Sequence, residues 1–536
     1  MTGRIIGISG PTVTVDLTGL RLYDMVRVGE AGLTGEVVRL ERERAVVQVY
    51  EDTRGLAVGE PARGLGVPLT VRLGPGLLAG MFDGLQRPLE PLREATGPFI
   101  RGGHELPPLD PAAVWPFTAL RRAGDEVKAG DILGHVTEGP FRHPIAASRG
   151  GRLARLAQGE ITLGEPVGIL EDGGELAAIE EWPVRRPRPC RRKFSPSTPL
   201  VTGQRIVDFL FPLARGGTAI LPGGFGTGKT ILEQAIAKFA AADIVVYVGC
   251  GERGNEMAEL LEEFVTLTDP WSGKPLMART IVVVNTSNMP VAAREASIYT
   301  AVTMAEYYRD MGLHVLLLAD SLSRWAEALR EISASLEEMP GEEGYPTYLA
   351  SRLAAFMERS GEVETASGEV GSLTMVLSVS PPGGDFTEPV TQACLRTAGA
   401  FLMLDTSLAH RRHFPAINWF QSYSLYGESA ARRFAETVSP RWEELRSRCR
   451  RLLQREEALR EVAEIVGVEG LQDADRLLMA AAERVRREFL AQNAYTDDAF
   501  SPPERTAERI EGILAFHHRA AERLSAGELL DEVLKG

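Results

Sequence analysis

Short runs of alternating apolar and polar residues dominate the first part of the chain. Residues 1 to about 70 contain runs such as RIIGISG, TVTVDL and RAVVQVY, separated by glycine. Alternation between turns is typical of strands with one buried face, and several such strands in succession predict a small β-barrel. A second Gly-rich, strand-like stretch from about 110 to 185 predicts a β-rich module of its own, reached through a connecting segment at 71–109.

Continuous apolar runs alternate with amphipathic stretches from about 200 to 425. The runs are DIVVYVGC (243–250), TIVVVNT (280–286), HVLLLAD (314–320) and LTMVLSVS (373–380). Strands of this kind, joined by helices, predict an α/β domain with a mostly parallel sheet covered on both faces. Beyond about 430 the pattern is almost wholly helical. The predicted domains are therefore a barrel at 1–70, a connecting segment at 71–109, a β-rich module at 110–185, a nucleotide-binding domain at 186–430 and a helical domain at 431–536.

The composition of the 536 residues is that of an ordinary globular protein, with 44% hydrophobic and 25% charged residues. Lysine and arginine number 59 against 73 for aspartate and glutamate, so the formal net charge is −14. This surplus argues against nucleic acid as a partner, although it leaves room for a local basic groove. The apolar runs are far shorter than the ~18 residues of a membrane helix, and the N-terminus lacks the layout of a signal peptide. We therefore expect a protein that lies outside the bilayer.

A proline- and arginine-rich segment, WPVRRPRPCRRKFSPSTP at 182–199, precedes the apolar runs. Proline lacks an N–H donor and restricts the residue before it, so the segment predicts a domain boundary. Its positive charges resemble a nucleic-acid patch, but a solvated linker is the favoured interpretation.

Residues 221–230, LPGGFGTGKT, contain the phosphate-binding pattern G-x-x-x-x-G-K-[ST]. The pattern follows a strand and opens a helix, so backbone N–H groups and the helix N-terminus would face an anion. Lys229 would reach the β- and γ-phosphates of ATP, and the Thr230 hydroxyl would hold Mg²⁺. The remaining residues expected to cradle ATP or ADP are Gly223, Gly224, Phe225, Gly226, Thr227 and Gly228.

Two acidic residues at strand ends supply further chemistry for a bound nucleotide. Asp320 closes HVLLLAD and predicts a second Mg²⁺ ligand, although it could also cap the helix that follows. Glu252 lies just after DIVVYVGC, and ligands in open α/β sheets bind beyond the carboxyl ends of the strands. Glu252 is thus a candidate for orienting a water in line with the γ-phosphate. The alternative is a local ion pair between Glu252 and Arg253.

Several segments together carry a family resemblance. They are, in order, GCGERGNEM (249–257), NTSNMPVAAREASIYT (285–300), RWAEALREIS (324–333), EEMPGEEGYPTYLASRLAAFMERSG (337–361), SPPGGDFTEPVTQ (380–392) and RRHFPAINWFQSYSLY (411–426). Over nearly its whole length the chain resembles the catalytic alpha chains of the V/A-type rotary ATPases. The stretch GDEVKAGDILGHV is similar to the inserted domain that distinguishes these chains from the F-type beta chains. The resemblance implies a RecA-like P-loop core that makes or hydrolyses ATP while H⁺ or Na⁺ crosses a membrane.

The resemblance also implies roles for individual residues. Glu252 matches the catalytic carboxylate that orients the attacking water. Arg253 and Arg324 match arginines on the phosphate side of the site. Glu256 matches an acidic residue near Mg²⁺ and its waters.

Two aromatic residues and two departures from the family pattern complete the expected site. Phe414 and Phe500 match the aromatics that enclose the adenine ring, with core packing an equally open interpretation of Phe500. Gly224 stands where a proline usually follows the first glycine, so the free loop loses more conformational entropy on ordering. Leu322 stands where a threonine is common. The sequence leaves open what these departures do to affinity and coupling.

The partners are implied by the resemblance alone. They are B-type subunits that alternate with three copies of this chain in a six-membered ring, a central stalk, a peripheral stalk and a membrane sector that carries the ions, with this chain on the cytoplasmic side of the membrane. An arginine from the B-type neighbour would complete the site, and arginines of this kind contribute roughly 10³–10⁵ in rate. The sequence leaves open the identity of the ion and the net direction of the reaction.

Two other functions compete with this one. A non-catalytic nucleotide-binding member of the same ring is disfavoured because Glu252, Lys229 and Thr230 are all present. A hexameric nucleic-acid motor would need a basic, aromatic-bearing barrel. Residues 1–70 contain Tyr23 and Tyr50 as their only aromatic residues and no lysine, which disfavours the motor.

Overall fold

The structure is a computed structural model that describes residues 1–97 and 102–535. The chain divides into two compact units. The first comprises Met1–Phe194, Ala242–Val379 and Thr387–Arg396, and the second comprises Ser195–Ala241, Ser380–Phe386 and Thr397–Gly536. Neither unit is a single continuous segment, because the chain passes from one to the other more than once.

The N-terminal strands close into a barrel, as the alternating pattern predicts. The strands are β1 (Thr2–Ser9), β2 (Thr12–Val15), β3 (Asp24–Val28), β4 (Leu33–Leu40), β5 (Ala45–Val49) and β6 (Pro61–Pro68), with neighbours in the order β1-β2-β5-β4-β3-β6. Buried side chains such as Ile5, Val26 and Val47 fill the interior. Successive side chains of a strand point to opposite faces, so the intervening polar residues face outward.

The predicted β-rich module is present as two antiparallel sheets. Before it lie β7 (Thr70–Leu73), β8 (Met81–Asp83) and α1 (Leu89–Thr96), and its strands are β9 (Val114–Ala119), β10 (Glu126–Val127), β11 (Ile132–Glu138), β12 (Phe141–Ala146), β13 (Gly151–Leu156), β14 (Gly159–Thr162), β15 (Gly168–Leu170) and β16 (Glu175–Leu176). The sheet orders are β10-β13-β15-β16 and β12-β11-β9-β14. β8 pairs in parallel with the strand Thr280–Asn285. The segment predicted as a connector therefore contributes a strand to the α/β domain.

The remaining elements follow the predicted order of strands and helices. They are β17 (Glu180–Pro183), β18 (Arg192–Phe194), β19 (Pro199–Leu200), β20 (Leu213–Ala214), β21 (Thr218–Pro222), α2 (Lys229–Phe239), β22 (Ile244–Cys250), α3 (Gly254–Thr266), β23 (Thr280–Asn285), α4 (Val291–Arg309), β24 (His314–Asp320), α5 (Leu322–Ser335), α6 (Leu349–Met357), β25 (Gly361–Glu364), β26 (Val370–Val379), α7 (Pro389–Thr397), β27 (Ala400–Phe401), α8 (Thr406–His410), β28 (Tyr423–Ser424), α9 (Gly427–Thr437), α10 (Trp442–Val466), α11 (Asp473–Arg484), α12 (Pro503–Ser525) and α13 (Leu530–Lys535).

A parallel sheet forms the centre of the first unit. Its strands run in the order β26-β24-β22-β23-β8, and the antiparallel strand β25 pairs with β26 and with β18. The residues of β22 and β23 are all buried, as their continuous valine and isoleucine runs predict. Helix α4 packs on β22, β23 and β24. The carboxyl ends of these parallel strands therefore meet at one edge of the sheet.

The second unit combines the phosphate loop with the C-terminal helices. β27 pairs in parallel with β21 and antiparallel with β28. Helices α10, α11 and α12 pack on one another, and Phe209 contacts both Trp442 and Phe489 with ring centroids 5.3 and 5.1 Å apart. The barrel, the parallel sheet and the helical C-terminus together confirm the predicted fold class.

The proline- and arginine-rich segment is not a solvated linker throughout, so that interpretation is wrong for two of its arginines. Arg185 donates to Glu36 at 2.9 Å and to Glu295 at 2.7 Å, and Arg188 donates to Asp310 at 2.7 Å. Their side chains are only 19% and 10% exposed. A buried charge is tolerated when an opposite charge compensates it, and these carboxylates come from β4 and from the helix region around α4. The positive charges here neutralise acids within the fold.

Candidate active site

Glycine is required at specific positions of the phosphate loop. Gly226 and Gly228 have φ values of +77° and +81°, which side-chain-bearing residues rarely adopt. A Cβ on Gly223 would lie 2.7 Å from Thr227 Oγ1. The Thr227 hydroxyl in turn closes the loop by donating to the Gly224 carbonyl at 2.9 Å. The backbone conformation that α2 needs at its N-terminus is therefore built into the sequence of the loop.

The lysine of the loop is held in place by a side chain of the same unit. Lys229 Nζ donates to Ser380 Oγ.

Thr230, the next residue of α2, is exposed, and Phe225 is 91% exposed. Gly224 does not share the left-handed conformation of Gly226 and Gly228.

A pocket of about 660 Å³ lies beside the loop in the second unit. Its lining includes Gly228, Ile231, Phe414, Gln492 and Tyr495. The Phe414 ring approaches the loop so closely that a Cβ on Gly228 would lie 3.7 Å from it. The volume falls within the ~300–1,000 Å³ that small-molecule sites occupy. The pocket can take a flat aromatic group, such as a nucleotide base, against the Phe414 ring.

Gln492 fixes the far wall of this pocket. Its N–H donates to the Phe414 carbonyl at 2.7 Å, and its side-chain amide donates to the Gly203 carbonyl at 2.8 Å. The side-chain oxygen accepts from the Arg205 backbone N–H at 2.8 Å. Arg205 is itself buried and pairs with Asp498. Sequence reasoning missed Gln492 and Tyr495, although both lie within FLAQNAYTDDAF, the stretch that contains Phe500.

The structure places Phe500 against the core rather than in the pocket lining. Its ring stacks on Phe239 with centroids 5.5 Å apart and an interplanar angle of 25°. A Cβ on Gly203 would lie 2.2 Å from the same ring. Among the described residues, the pocket lining includes Phe414 and Tyr495 and does not include Phe500. The adenine role of Phe500 stays a prediction.

A neutral histidine precedes Phe414. Burial and the nearby Arg486 guanidinium lower the pKa of His413 to about 4. The ring is therefore uncharged at neutral pH, and protonating it would place a second positive charge near Arg486, beside the pocket that His413 lines.

Glu252 lies in the first unit, on a loop fixed by backbone hydrogen bonds. The Gly251 N–H donates to the Asn285 carbonyl at 2.6 Å, and the Ser287 N–H donates to the Glu252 carbonyl at 2.9 Å. Gly251 has φ +75°, and a Cβ there would lie 2.5 Å from Arg324 Cβ. The loop after β22 is thus locked to the loop after β23, which holds the backbone of Glu252 in position.

The other predicted charged residues of this edge lie close to Glu252. Arg253 and Glu256 approach each other at 3.6 Å. Hydrogen bonds to Glu327 raise the pKa of Arg324, and Glu252 and Glu256 add smaller contributions in the same direction.

Asp320 is buried at the end of β24, in register with Gly249 of β22. Its Oδ1 accepts a hydrogen bond from Ser378 Oγ at 2.6 Å. Leu322, the first residue of α5, is fully buried and therefore serves packing. The first unit thus contains Glu252 and Asp320 at the ends of neighbouring parallel strands, and the second unit contains the phosphate loop, Phe414 and the pocket beside them.

Comparison with known proteins identifies the family. Residues 203–424 match the domain family described as "ATP synthase alpha/beta family, nucleotide-binding domain". Residues 432–534 match the family described as "C-terminal domain of V and A type ATP synthase". The beta-barrel domain of the alpha/beta family matches residues 5–66, and its barrel-sandwich domain matches residues 106–185. The V-type ATP synthase alpha chain of Anaeromyxobacter dehalogenans is 54% identical over 539 residues, which span 100% of this chain and 93% of the relative. The chain therefore belongs to the ATP synthase alpha/beta family.

A second relative and a solved structure agree with this assignment. The corresponding chain of the A-type ATP synthase of Methanopyrus kandleri is 52% identical over 99% of this chain and 92% of its own length. Membership of the V/A-type alpha chains confirms the resemblance and the expected class of function, a nucleotide-binding component of an ATP-converting, ion-translocating enzyme. The ATPase EscN of the enteropathogenic E. coli type III secretion system superposes with a TM-score of 0.69, covering 96% of this chain and 100% of EscN at 22% identity, which supports the fold.

Among residues 1–97 and 102–535, no helix has both the length and the apolar character needed to cross a bilayer.

Proposed function

We propose that this chain is the catalytic subunit of a V/A-type rotary ATP synthase, interconverting ATP and water with ADP and phosphate in step with H⁺ or Na⁺ transport. The proposal rests above all on Glu252, an acid fixed just beyond a buried parallel strand in a chain that also carries an intact phosphate loop. A non-catalytic subunit would need the loop but not the acid. The family membership adds independent support.

The loop and the base pocket account for binding. Backbone N–H groups at the start of α2 and the Lys229 ammonium stabilise the phosphates, since a helix N-terminus and a lysine both attract negative charge. Phe414 packs against the adenine ring, and an aromatic contact of this kind contributes about 0.5–1.5 kcal/mol beyond buried area. Phe500 remains the proposed second aromatic.

Glu252 and the arginines account for the chemistry. The Glu252 carboxylate orients the attacking water and accepts its proton, while Arg253 and Arg324 stabilise charge on the phosphate oxygens. Positioning and electrostatic stabilisation are the main contributions to catalysis of phosphoryl transfer. The arginine that completes the site is proposed to come from a B-type subunit.

Magnesium fits the oxygen donors that these residues supply. Asp320, Thr230 and Glu256 are the proposed ligands, directly or through water, and Mg²⁺ prefers one or two carboxylates with phosphate oxygens to an all-protein cage. When bound, the ion neutralises charge on the β- and γ-phosphates.

The named relatives, which are components of ATP synthases, support a place in a multi-subunit complex. We propose three copies of this chain alternating with three B-type subunits, attached to a central and a peripheral stalk on the cytoplasmic side of a membrane sector.

Glu252→Gln tests the catalytic assignment. In the complex assembled with its other subunits, the variant should bind ATP as the parent does and lose roughly 10²–10⁴ in turnover, the usual contribution of a positioned acid–base group. Glu259→Gln, on the exposed side of α3, is the matched control and should retain full turnover. Unchanged turnover in Glu252→Gln would remove the basis of the proposal.

A further inference from the structure

A groove of about 540 Å³ runs between α9 and α10 in the second unit. Its lining includes four arginines, Arg432, Arg446, Arg450 and Arg451, and two glutamates, Glu428 and Glu443. The groove thus carries an excess of positive charge in a chain whose net charge is −14.

None of the four arginines has a carboxylate partner in the part of the chain that the structure describes. Other arginines of α10 and its N-terminal flank do have one, since Arg441 contacts Glu444 at 3.2 Å and Arg460 contacts Glu456 at 2.7 Å. The exposed Arg455 of α10, outside the groove, also lacks a carboxylate partner among the described residues, so what distinguishes the groove is that four such arginines cluster along it.

Arg446 shows that the charge is costly as it stands. Its guanidinium is partly buried and donates to the Gly427 and Leu210 carbonyls, at 3.1 and 2.8 Å. Its Nε is buried and has no hydrogen-bond partner among the residues that the structure describes. Burial and then the neighbouring Arg450 lower the pKa of Arg446 to about 10, and the groove glutamates Glu428 and Glu443 offset this only in part. A desolvated cation beside a second cation is unfavourable unless an external anion compensates it.

The spacing of the arginines favours an extended acidic partner. Arg446 and Arg450 lie four residues apart on α10 and so occupy successive turns of one face, about 5–6 Å apart at Cβ. Arg451 lies beside them, and α9 contributes Arg432 from the opposite wall. An arginine guanidinium matches a carboxylate in a two-pronged hydrogen bond.

We propose that this groove is a docking surface for an acidic segment of another protein of the complex, whose glutamates or aspartates pair with Arg446, Arg450, Arg451 and Arg432. The inference rests on the proposed function in one respect, because it needs the multi-subunit complex. It adds the location of the contact and the chemistry of the partner.

A zero-length cross-link tests the contact in the assembled complex. Arg450→Lys and Arg451→Lys keep the positive charge and add an amine that carbodiimide joins to a touching carboxylate. We expect cross-links from these positions to an acidic segment of another protein of the complex. Arg433→Lys is the matched control, because Arg433 lies on α9 outside the groove lining and already contacts Glu436 at 3.0 Å. Cross-links confined to this chain would overturn the proposal.

Charge reversal supplies the second arm. The double variant Arg450→Glu, Arg451→Glu should bind ATP as the parent does when isolated, and its incorporation into the complex should fall at least ~10-fold, the effect of losing about 1.4 kcal/mol. Normal assembly would refute the docking surface. Calorimetric binding of pyrophosphate to the isolated parent, lost in the double variant, would instead identify a small-anion site and equally refute it. A parent complex that assembles but has no ATPase activity would contradict the proposed function. The cross-linking and assembly measurements would still test the docking surface in that case.

Discussion

Replacing Phe500 with alanine separates packing from base recognition. The Phe500 ring is largely buried, stacks on Phe239 and fills the space above Gly203. Removing a buried phenylalanine side chain costs 3–5 kcal/mol in proteins, and we take the lower end, about 3 kcal/mol, because this ring is not fully buried. We therefore expect Phe500→Ala to destabilise the region where α2 packs on the C-terminal segment.

Hydrogen exchange of the α2 amides measures this local loss. A cost of about 3 kcal/mol corresponds to roughly 100-fold faster exchange, since each 1.4 kcal/mol is a factor of ten. Phe414→Ala should behave differently, because Phe414 lines the pocket. It should leave exchange in α2 unchanged and weaken ATP binding about 3- to 10-fold, by the usual contribution of an aromatic contact.

Inorganic tripolyphosphate provides the control ligand, because it uses the phosphate loop and has no base. Phe414→Ala should bind it as the parent does. If Phe500→Ala instead leaves α2 exchange unchanged, the packing argument is wrong. A loss of ATP affinity of 10-fold or more, in addition to faster exchange, would support the proposed adenine contact as well.

Three further outcomes follow from the structure. Gly224→Ala should tighten ATP binding about 2- to 5-fold, measured by calorimetry, because an alanine restricts the free loop and this stabilises the ordered loop by about 0.4–1 kcal/mol. The new Cβ fits, since it would lie 3.8 Å from its nearest neighbour, Thr406 Oγ1. Weaker binding would contradict this. Arg185→Gln should lower the free energy of unfolding by about 3–5 kcal/mol, because it leaves the buried Glu295 carboxylate without its partner. Arg186→Gln, at an exposed position, should change it by less than about 0.5 kcal/mol. Similar urea midpoints for the two variants would contradict the stabilising role of the buried ion pair. The pKa of His413 is lower in the folded chain than in the unfolded chain, so the stability that the neutral ring contributes is full above pH 6.5 and is lost as the pH falls toward 4. Relative to His413→Gln, the free energy of unfolding of the parent should fall by about 3 kcal/mol over that range. Parallel pH profiles of stability for the two proteins would refute the assignment.

Local sequence patterns were sufficient for the elements and for the backbone conformation of the phosphate loop. The glycines at 226 and 228 take conformations that only glycine adopts readily, and the apolar runs that predict β22 and β23 are buried along their whole length. Patterns of this kind depend on neighbours along the chain, which the sequence shows directly. The position of Glu252 beyond its strand follows from the same reasoning, because the carboxyl ends of parallel strands carry ligand sites.

Only the tertiary structure decided which distant side chains meet. Arg185 lies in a segment whose composition is typical of a linker. The fold nevertheless pairs it with Glu36 and Glu295, which are distant in the sequence. The sequence left Phe500 open between two roles, and the fold sets its ring against Phe239, while Tyr495 carries no local signal that would place it in the pocket. The physical reason is common to all three. Whether a charge or a ring is buried depends on groups brought together by folding, and no local periodicity records which groups those are.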